Sequence, residues 1–147
     1  MVQREVGDRL AAHPGDEQYG SLSVVAAYYL RSIETAIRVP RGAFYPQPKV
    51  DSVALSLRPR REPPAGVRDE ALLFEVIRTG FGQRRKQLTN TLTRAECLGP
   101  LDRPLADSAL SAAGIPPQAR AETVSLEQFI SLSNALHESG VSVLAPR

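Results

Sequence analysis

The spacing of apolar positions changes along the chain, and each change marks an element. Val6 and Leu10 share a helical face until His13-Pro14-Gly15-Asp16 breaks the pattern. A second helix is predicted from Ser21, where Leu22, Val24, Val25, Ala26, Tyr28, Tyr29 and Leu30 make the segment apolar nearly all round. A helix of that kind is normally sandwiched against a sheet. Ser32 to Val39 alternates loosely around Ile33, Ile37 and Val39 and predicts a strand ended by Pro40. After the stiff loop Ala43-Phe44-Tyr45-Pro46-Gln47-Pro48-Lys49, the positions Val53, Leu55 and Leu57 face one side of a further strand.

Arg58-Pro59-Arg60-Arg61-Glu62-Pro63-Pro64-Ala65-Gly66 reads as a linker, which places a boundary near residue 62 and domains at 1–62 and 63–147. Beyond it the pattern is helical throughout. Leu72, Leu73, Val76 and Ile77 form one stripe that Phe81 extends, and Gly80 and Gly82 are expected to loosen the backbone after it. Leu88, Leu92 and Ala95 make the next stripe. A third helix runs from about Leu105 to Ala113, with Pro104 near its start and Gly114 as its stop. Ser125-Leu126-Glu127-Gln128 is a capping box for a final helix that carries Phe129, Leu132 and Leu136 inward.

A chain of 147 residues, 42% apolar, can bury one core or two modest ones. Its net charge of +2 says little, but the distribution says more. Arg38, Arg41, Lys49, Arg58, Arg60 and Arg61 face the single acid Asp51 in their stretch, and Arg78, Arg84, Arg85, Lys86 and Arg94 lie in a stretch without acids. Three consecutive cations at Arg84-Arg85-Lys86 suit a phosphate backbone, although the same residues also make ordinary solvated faces. Phe44 and Tyr45, held between stiff prolines beside Lys49, read either as a stacking surface for bases or as core plugs.

Other chemistries find little support. His13 and His137 are isolated from other ligand-type residues, so no metal site is assigned, and Cys97 has no neighbouring base in sequence. A single cysteine excludes an internal disulfide and reads as a buried thiol in a reducing compartment. No apolar run approaches the roughly 20 residues that span a bilayer, nor does the start carry a signal core, so the chain reads as cytoplasmic with no membrane partner. There is no P-loop and no glycine-rich dinucleotide turn.

Several motifs together resemble one family. Met1-Val2-Gln3-Arg4-Glu5-Val6, Arg9-Leu10, Pro14-Gly15, Tyr19-Gly20-Ser21-Leu22-Ser23-Val24, Ala43 to Ser52, Phe81-Gly82-Gln83-Arg84-Arg85-Lys86 with Leu88, Asn90 and Leu92, Arg120-Ala121-Glu122, and Ser125 to Phe129 occur in order along the chain. They resemble the C-terminal half only of bacterial small-subunit ribosomal RNA adenine N6,N6-dimethyltransferases, which transfer methyl groups from S-adenosylmethionine to two adjacent adenines. Ser21 stands where the family usually has Arg, and Ala27 where it commonly has Gln. The family's glycine-rich cofactor loop, its ribose-binding acid and its Asn-Leu-Pro-Tyr motif precede the stretch that matches Met1.

The resemblance implies an α/β fold: the C-terminal part of a Rossmann-like methyltransferase sheet domain, with Met1 in a strand of a parallel sheet, followed by a small all-helical RNA-recognition domain. It implies that Phe44 lies beside the target-adenine pocket and that Lys49, Arg84, Arg85 and Lys86 contact RNA, while no residue here is catalytic or cofactor-binding. S-adenosylmethionine is then expected in the complete enzyme and not on this chain alone, which is expected to be inactive with its cofactor-binding half absent. The implied partner is small-subunit ribosomal RNA or the immature small subunit, and a truncated sheet is expected to self-associate. Two alternatives remain: a stand-alone RNA-binding or ribosome-assembly protein without methyltransferase activity, and a DNA-binding module.

Overall fold

The computed structural model describes residues 1–144. The chain divides into two compact units, Met1–Pro63 and Pro64–Arg147. The first contains strand β1 (Val2–Gln3), helices α1 (Arg4–Ala11) and α2 (Ser21–Tyr29), and strands β2 (Leu30–Val39) and β3 (Ser52–Pro59). The three strands make one sheet in the order β1-β3-β2, and both pairings are antiparallel.

Helix α1 can lie close to the sheet because Gly7 has no side chain: a Cβ there would sit 2.3 Å from Val53 Cγ1. Helix α2 is tied to α1 through Ser23, whose hydroxyl accepts from Gly20 N at 3.1 Å and donates to Arg9 O at 2.6 Å. Val24, Ala26 and Tyr28 are buried with Tyr19 and Val53. Leu22 and Tyr29 are exposed, so the apolar circumference of α2 is covered on one side only. The chain then passes from Tyr29 into β2 at Leu30 with no intervening loop.

The sheet departs from expectation in its pairing. Val2 pairs with Val53 in an antiparallel ladder, and among the described strands neither pairing is parallel, whereas the resemblance implied that Met1 lies in a strand of a parallel sheet. Alternation predicts burial but does not distinguish parallel from antiparallel partners. In β2, Thr35 pairs with Leu55 while Ile37 pairs with Ala54, a register shift that moves Ile37 to the opposite face from Ile33. Ile37 is 62% exposed.

The second unit contains α3 (Glu70–Phe81), α4 (Leu88–Leu92), α5 (Arg103–Ala112) and α6 (Leu126–Glu138). Asp69 caps α3 by accepting from Leu72 N at 2.9 Å, and Asp102 caps α5 by accepting from Leu105 N at 2.9 Å. Ser125 and Gln128 form the reciprocal capping box at α6. Helix α6 packs on both α3 and α5, burying Phe129, Leu132 and Leu136 with Leu72, Leu73, Val76, Ile77 and Leu110. Gly114, at φ +65°, turns the chain out of α5 in a conformation that other residues adopt at a cost. Among the described residues no helix is long and apolar enough to cross a membrane.

Candidate nucleic-acid interface

The basic residues of the helical unit lie in the turn between α3 and α4. Helix α3 continues through Gly80 to Phe81, and Gly80 does not loosen it: a Cβ there would meet Leu88 Cδ1 at 3.0 Å and Ala121 Cβ at 3.4 Å. That glycine serves close packing. Gly82 has an ordinary helical φ of −62° and caps the helix by donating to Thr79 O. Lys86 N then donates to Gln83 O at 2.9 Å, and Leu88 N to Ala119 O at 2.9 Å, which fixes the turn at its far end. Arg84, Arg85 and Lys86 are all exposed on this anchored turn.

Their electrostatic surroundings differ. Arg84 lies 3.7 Å from Glu122, and Arg120 shares the same carboxylate at 3.9 Å. Exposed pairs at such distances contribute little, about 0–1 kcal/mol. Among the described residues no ion pair engages Arg85 or Lys86. Sequence reasoning left Arg120 out of the binding set; the Leu88–Ala119 bond brings it beside the turn, and no spacing rule signals that.

Lys49 sits elsewhere, in the sheet unit. It lines an open cleft with Arg4, Arg41, Glu5, Asp8, Gln18, Val50 and Asp51, where three cations meet three carboxylates. Asp51 accepts from Arg41 N at 2.9 Å, and Arg4 pairs with Asp8 at 3.6 Å. This balanced charge makes a weaker phosphate site than the basic turn. Phe44 is half-buried, whereas the neighbouring Tyr45 is 102% exposed, so Tyr45 is the ring this loop presents to solvent. The two histidines are each near one aspartate, His13 at 3.8 Å from Asp16 and His137 at 3.9 Å from Asp69.

The Glu75 carboxyl on α3 is shifted from its ordinary range. Its hydrogen bonds from the Arg78 guanidinium hold the carboxyl below the ordinary carboxylate range, against the opposing effect of burial. A lowered folded-state pKa contributes stability that is present above the unfolded value, about 4.3, and is lost as pH falls through the folded value. Glu75→Gln is therefore expected to lower stability at neutral pH and to flatten the loss below about pH 4.3, measured by urea unfolding at several pH values. An unchanged acid limb would show that the pair adds nothing.

The described residues thus form a sheet unit with two helices and a helical unit that carries an exposed cationic turn. The model of the family "Ribosomal RNA adenine dimethylase" matches residues 1–138, and the chain belongs to that family. It is 50% identical over 136 residues to ribosomal RNA small subunit methyltransferase A of Bacillus mycoides (strain KBAB4), covering 92% of this chain and 46% of that protein. The same identity and coverage hold for its counterpart in Bacillus anthracis (strain A0248). The chain thus spans about half the length of these relatives. In three dimensions it is similar to a dimethyladenosine transferase from Plasmodium falciparum, with TM-score 0.78 and 20% identity over 97% of this chain and 57% of that one. It is also similar to the 23S rRNA methyltransferase ErmE, with TM-score 0.58 and 26% identity over 92% of this chain and 52% of that one.

These matches correct several expectations. The family model runs across both units and nearly the whole chain, so the resemblance is not confined to a C-terminal half, nor is the fold class merely the C-terminal part of a sheet domain. The expectations of an absent cofactor-binding half, an inactive chain, a role limited to RNA recognition and no S-adenosylmethionine on this chain do not stand either. They rested on motifs not found before Met1, and the point at which a sequence begins carries no such conclusion. The cleft around Lys49 offers acceptors and cations for a polar ligand, and Val50 is its one aliphatic lining residue.

Proposed function

We propose that the protein acts in S-adenosylmethionine-dependent dimethylation of two adjacent adenines of small-subunit ribosomal RNA. The 50% identity to small-subunit methyltransferases over 92% of the chain carries this reading. The exposed Arg84-Arg85-Lys86 turn supports it physically, because methylation of a base within a folded RNA requires the backbone to be held in register. In this proposal the helical unit recognises the RNA of the immature small subunit through Arg84, Arg85 and Lys86, with Lys49 as a supplementary contact. Phe44 packs beside the extruded target adenine. The cofactor supplies the electrophilic methyl group, and these residues place and hold the acceptor. The work belongs in the cytoplasm, where small subunits mature.

The test is transfer of labelled methyl groups from S-adenosylmethionine to unmethylated small subunits. Label recovered as N6,N6-dimethyladenosine at adjacent positions is expected; tight subunit binding without label would contradict the enzymatic reading. Self-association is part of the proposal, supported by the exposed side chains of Tyr29, Ile37 and Leu57 on the sheet unit. A sedimentation mass that stays monomeric across concentration would oppose it.

A further inference from the structure

We propose that a second RNA phosphate site lies in the helical unit, in the cleft lined by Arg94 and Arg78; it rests on the RNA-binding reading above. The cleft holds about 250 Å³ and is lined by Arg78, Thr79, Gly82, Gln83, Thr91, Arg94, Ala95 and Cys97, with no carboxylate among them. Gly82 and Gln83 belong to the same turn that carries Arg84, Arg85 and Lys86, so a strand of phosphates lying on that turn continues into this cleft.

Charge decides what the cleft accepts. Glu75 borders the cleft, accepting from the lining hydroxyl of Thr79 at 3.4 Å, and it neutralises Arg78, which donates to its carboxylate from Nε at 3.1 Å and Nη2 at 2.5 Å. Such a pair holds the guanidinium plane in one orientation and leaves its remaining N–H groups for a second acceptor. Arg94 is exposed, and among the described residues no carboxylate pairs with it. The C-terminal end of α3 adds partial negative charge of about half an elementary unit nearby, and one full unpaired guanidinium outweighs it. The hydroxyls of Thr79 and Thr91 are spent on Glu75 and on Gln87 O, so neither adds a donor for the anion. Gln83 is exposed and offers an amide donor on the rim.

The contrast with the cleft around Lys49 is informative. There three carboxylates face three cations, and an incoming phosphate would meet repulsion as well as attraction. Here the adjoining carboxylate, Glu75, is already bridged by the Arg78 fork, and among the described residues no carboxylate pairs with Arg94. The shape is open and the ligand small, which suits one backbone phosphate of a folded RNA better than a nucleobase, because no aromatic ring lines the walls.

Cys97 supplies an independent reporter. Its sulfur is 3.7 Å from Thr79 Oγ1 inside the cleft, it is the only cysteine of the chain, and it is half-buried. A phosphate seated between Arg78 and Arg94 covers it. Saturating small-subunit ribosomal RNA is therefore expected to slow alkylation of Cys97 several-fold, while millimolar inorganic phosphate alone leaves the rate unchanged.

The experiment measures RNA affinity against salt, together with Cys97 alkylation, for the wild-type chain, Arg94→Gln, Arg94→Lys and a triple alanine variant of the basic turn. Arg94→Gln is expected to weaken binding several-fold, to lower the salt slope by about one, and to abolish protection of Cys97, with Arg94→Lys restoring the slope. An unchanged slope and unchanged protection in Arg94→Gln, with the triple variant still impaired, would overturn the second site and leave the RNA-binding reading intact. A wild-type chain that binds no RNA would overturn both. Protection by inorganic phosphate alone would make this a free-anion site and overturn its assignment to RNA.

Discussion

Replacing Arg84, Arg85 and Lys86 together by alanine is expected to weaken binding to small-subunit ribosomal RNA by about 10- to 100-fold near physiological salt and to reduce the salt slope by about two to three. Each phosphate contact releases counterions, so each lost cation removes a roughly fixed increment of slope. Arg85 and Lys86, which no acid pairs with among the described residues, should account for more of it than Arg84, whose charge Glu122 partly offsets. All three are exposed, and exposed substitutions usually change stability by about 0.5 kcal/mol or less, so the fold serves as its own control. Filter binding from low to high salt measures the effect. An unchanged slope would show that the turn does not touch the RNA backbone.

Phe129→Ala is expected to cost the helical unit about 3–5 kcal/mol, a large share of the roughly 5–15 kcal/mol that holds a typical domain together. Phe129 is fully buried, its ring lies 5.9 Å from that of Phe81, and it sits beside Gly80, so α6 and the end of α3 meet there. The cavity would loosen the anchor of the basic turn, and RNA affinity should fall although no cation has been removed. Urea unfolding monitored by circular dichroism gives the magnitude. A loss below about 1 kcal/mol would mean that the site collapses around the missing ring and that the core is less specific than the packing implies.

The helical unit was legible where its signals are local. Ser125 and Gln128 announce α6, Pro104 and Gly114 bracket α5, and the stripe from Leu72 to Ile77 gives the buried face of α3. Helix α4 was less so, because the stripe reaching Ala95 suggests a longer helix than the one that ends at Leu92. Thr91 and Thr93 turn their hydroxyls onto the carbonyls of Gln87 and Thr89, and beyond them Cys97 O and Gly99 N bond to Leu144 and Ser142. Both effects compete with helix continuation, and the second joins segments far apart in sequence. The sheet was legible as strands but not as antiparallel pairings, and the shift between Thr35 and Ile37 has no signature in the residue pattern.

The candidate site shows the same division. Consecutive cations at Arg84, Arg85 and Lys86 can be read directly, since their clustering is local. The sharing of Glu122 by Arg84 and Arg120, the carboxylates facing Lys49, and the meeting of Arg78, Arg94 and Cys97 in one cleft all depend on tertiary contacts. The same holds for the two aromatic candidates: the sequence treats Phe44 and Tyr45 alike, and only the folded loop turns Tyr45 outward and Phe44 partly in.

The most direct measurement is mass spectrometry of small-subunit ribosomal RNA from the host organism with the gene for this protein deleted and then restored. Loss of the paired N6,N6-dimethyladenosines on deletion, and their return with the restored gene, is the predicted result. Full dimethylation in the deleted strain would contradict the assignment of adenine dimethylation to this protein.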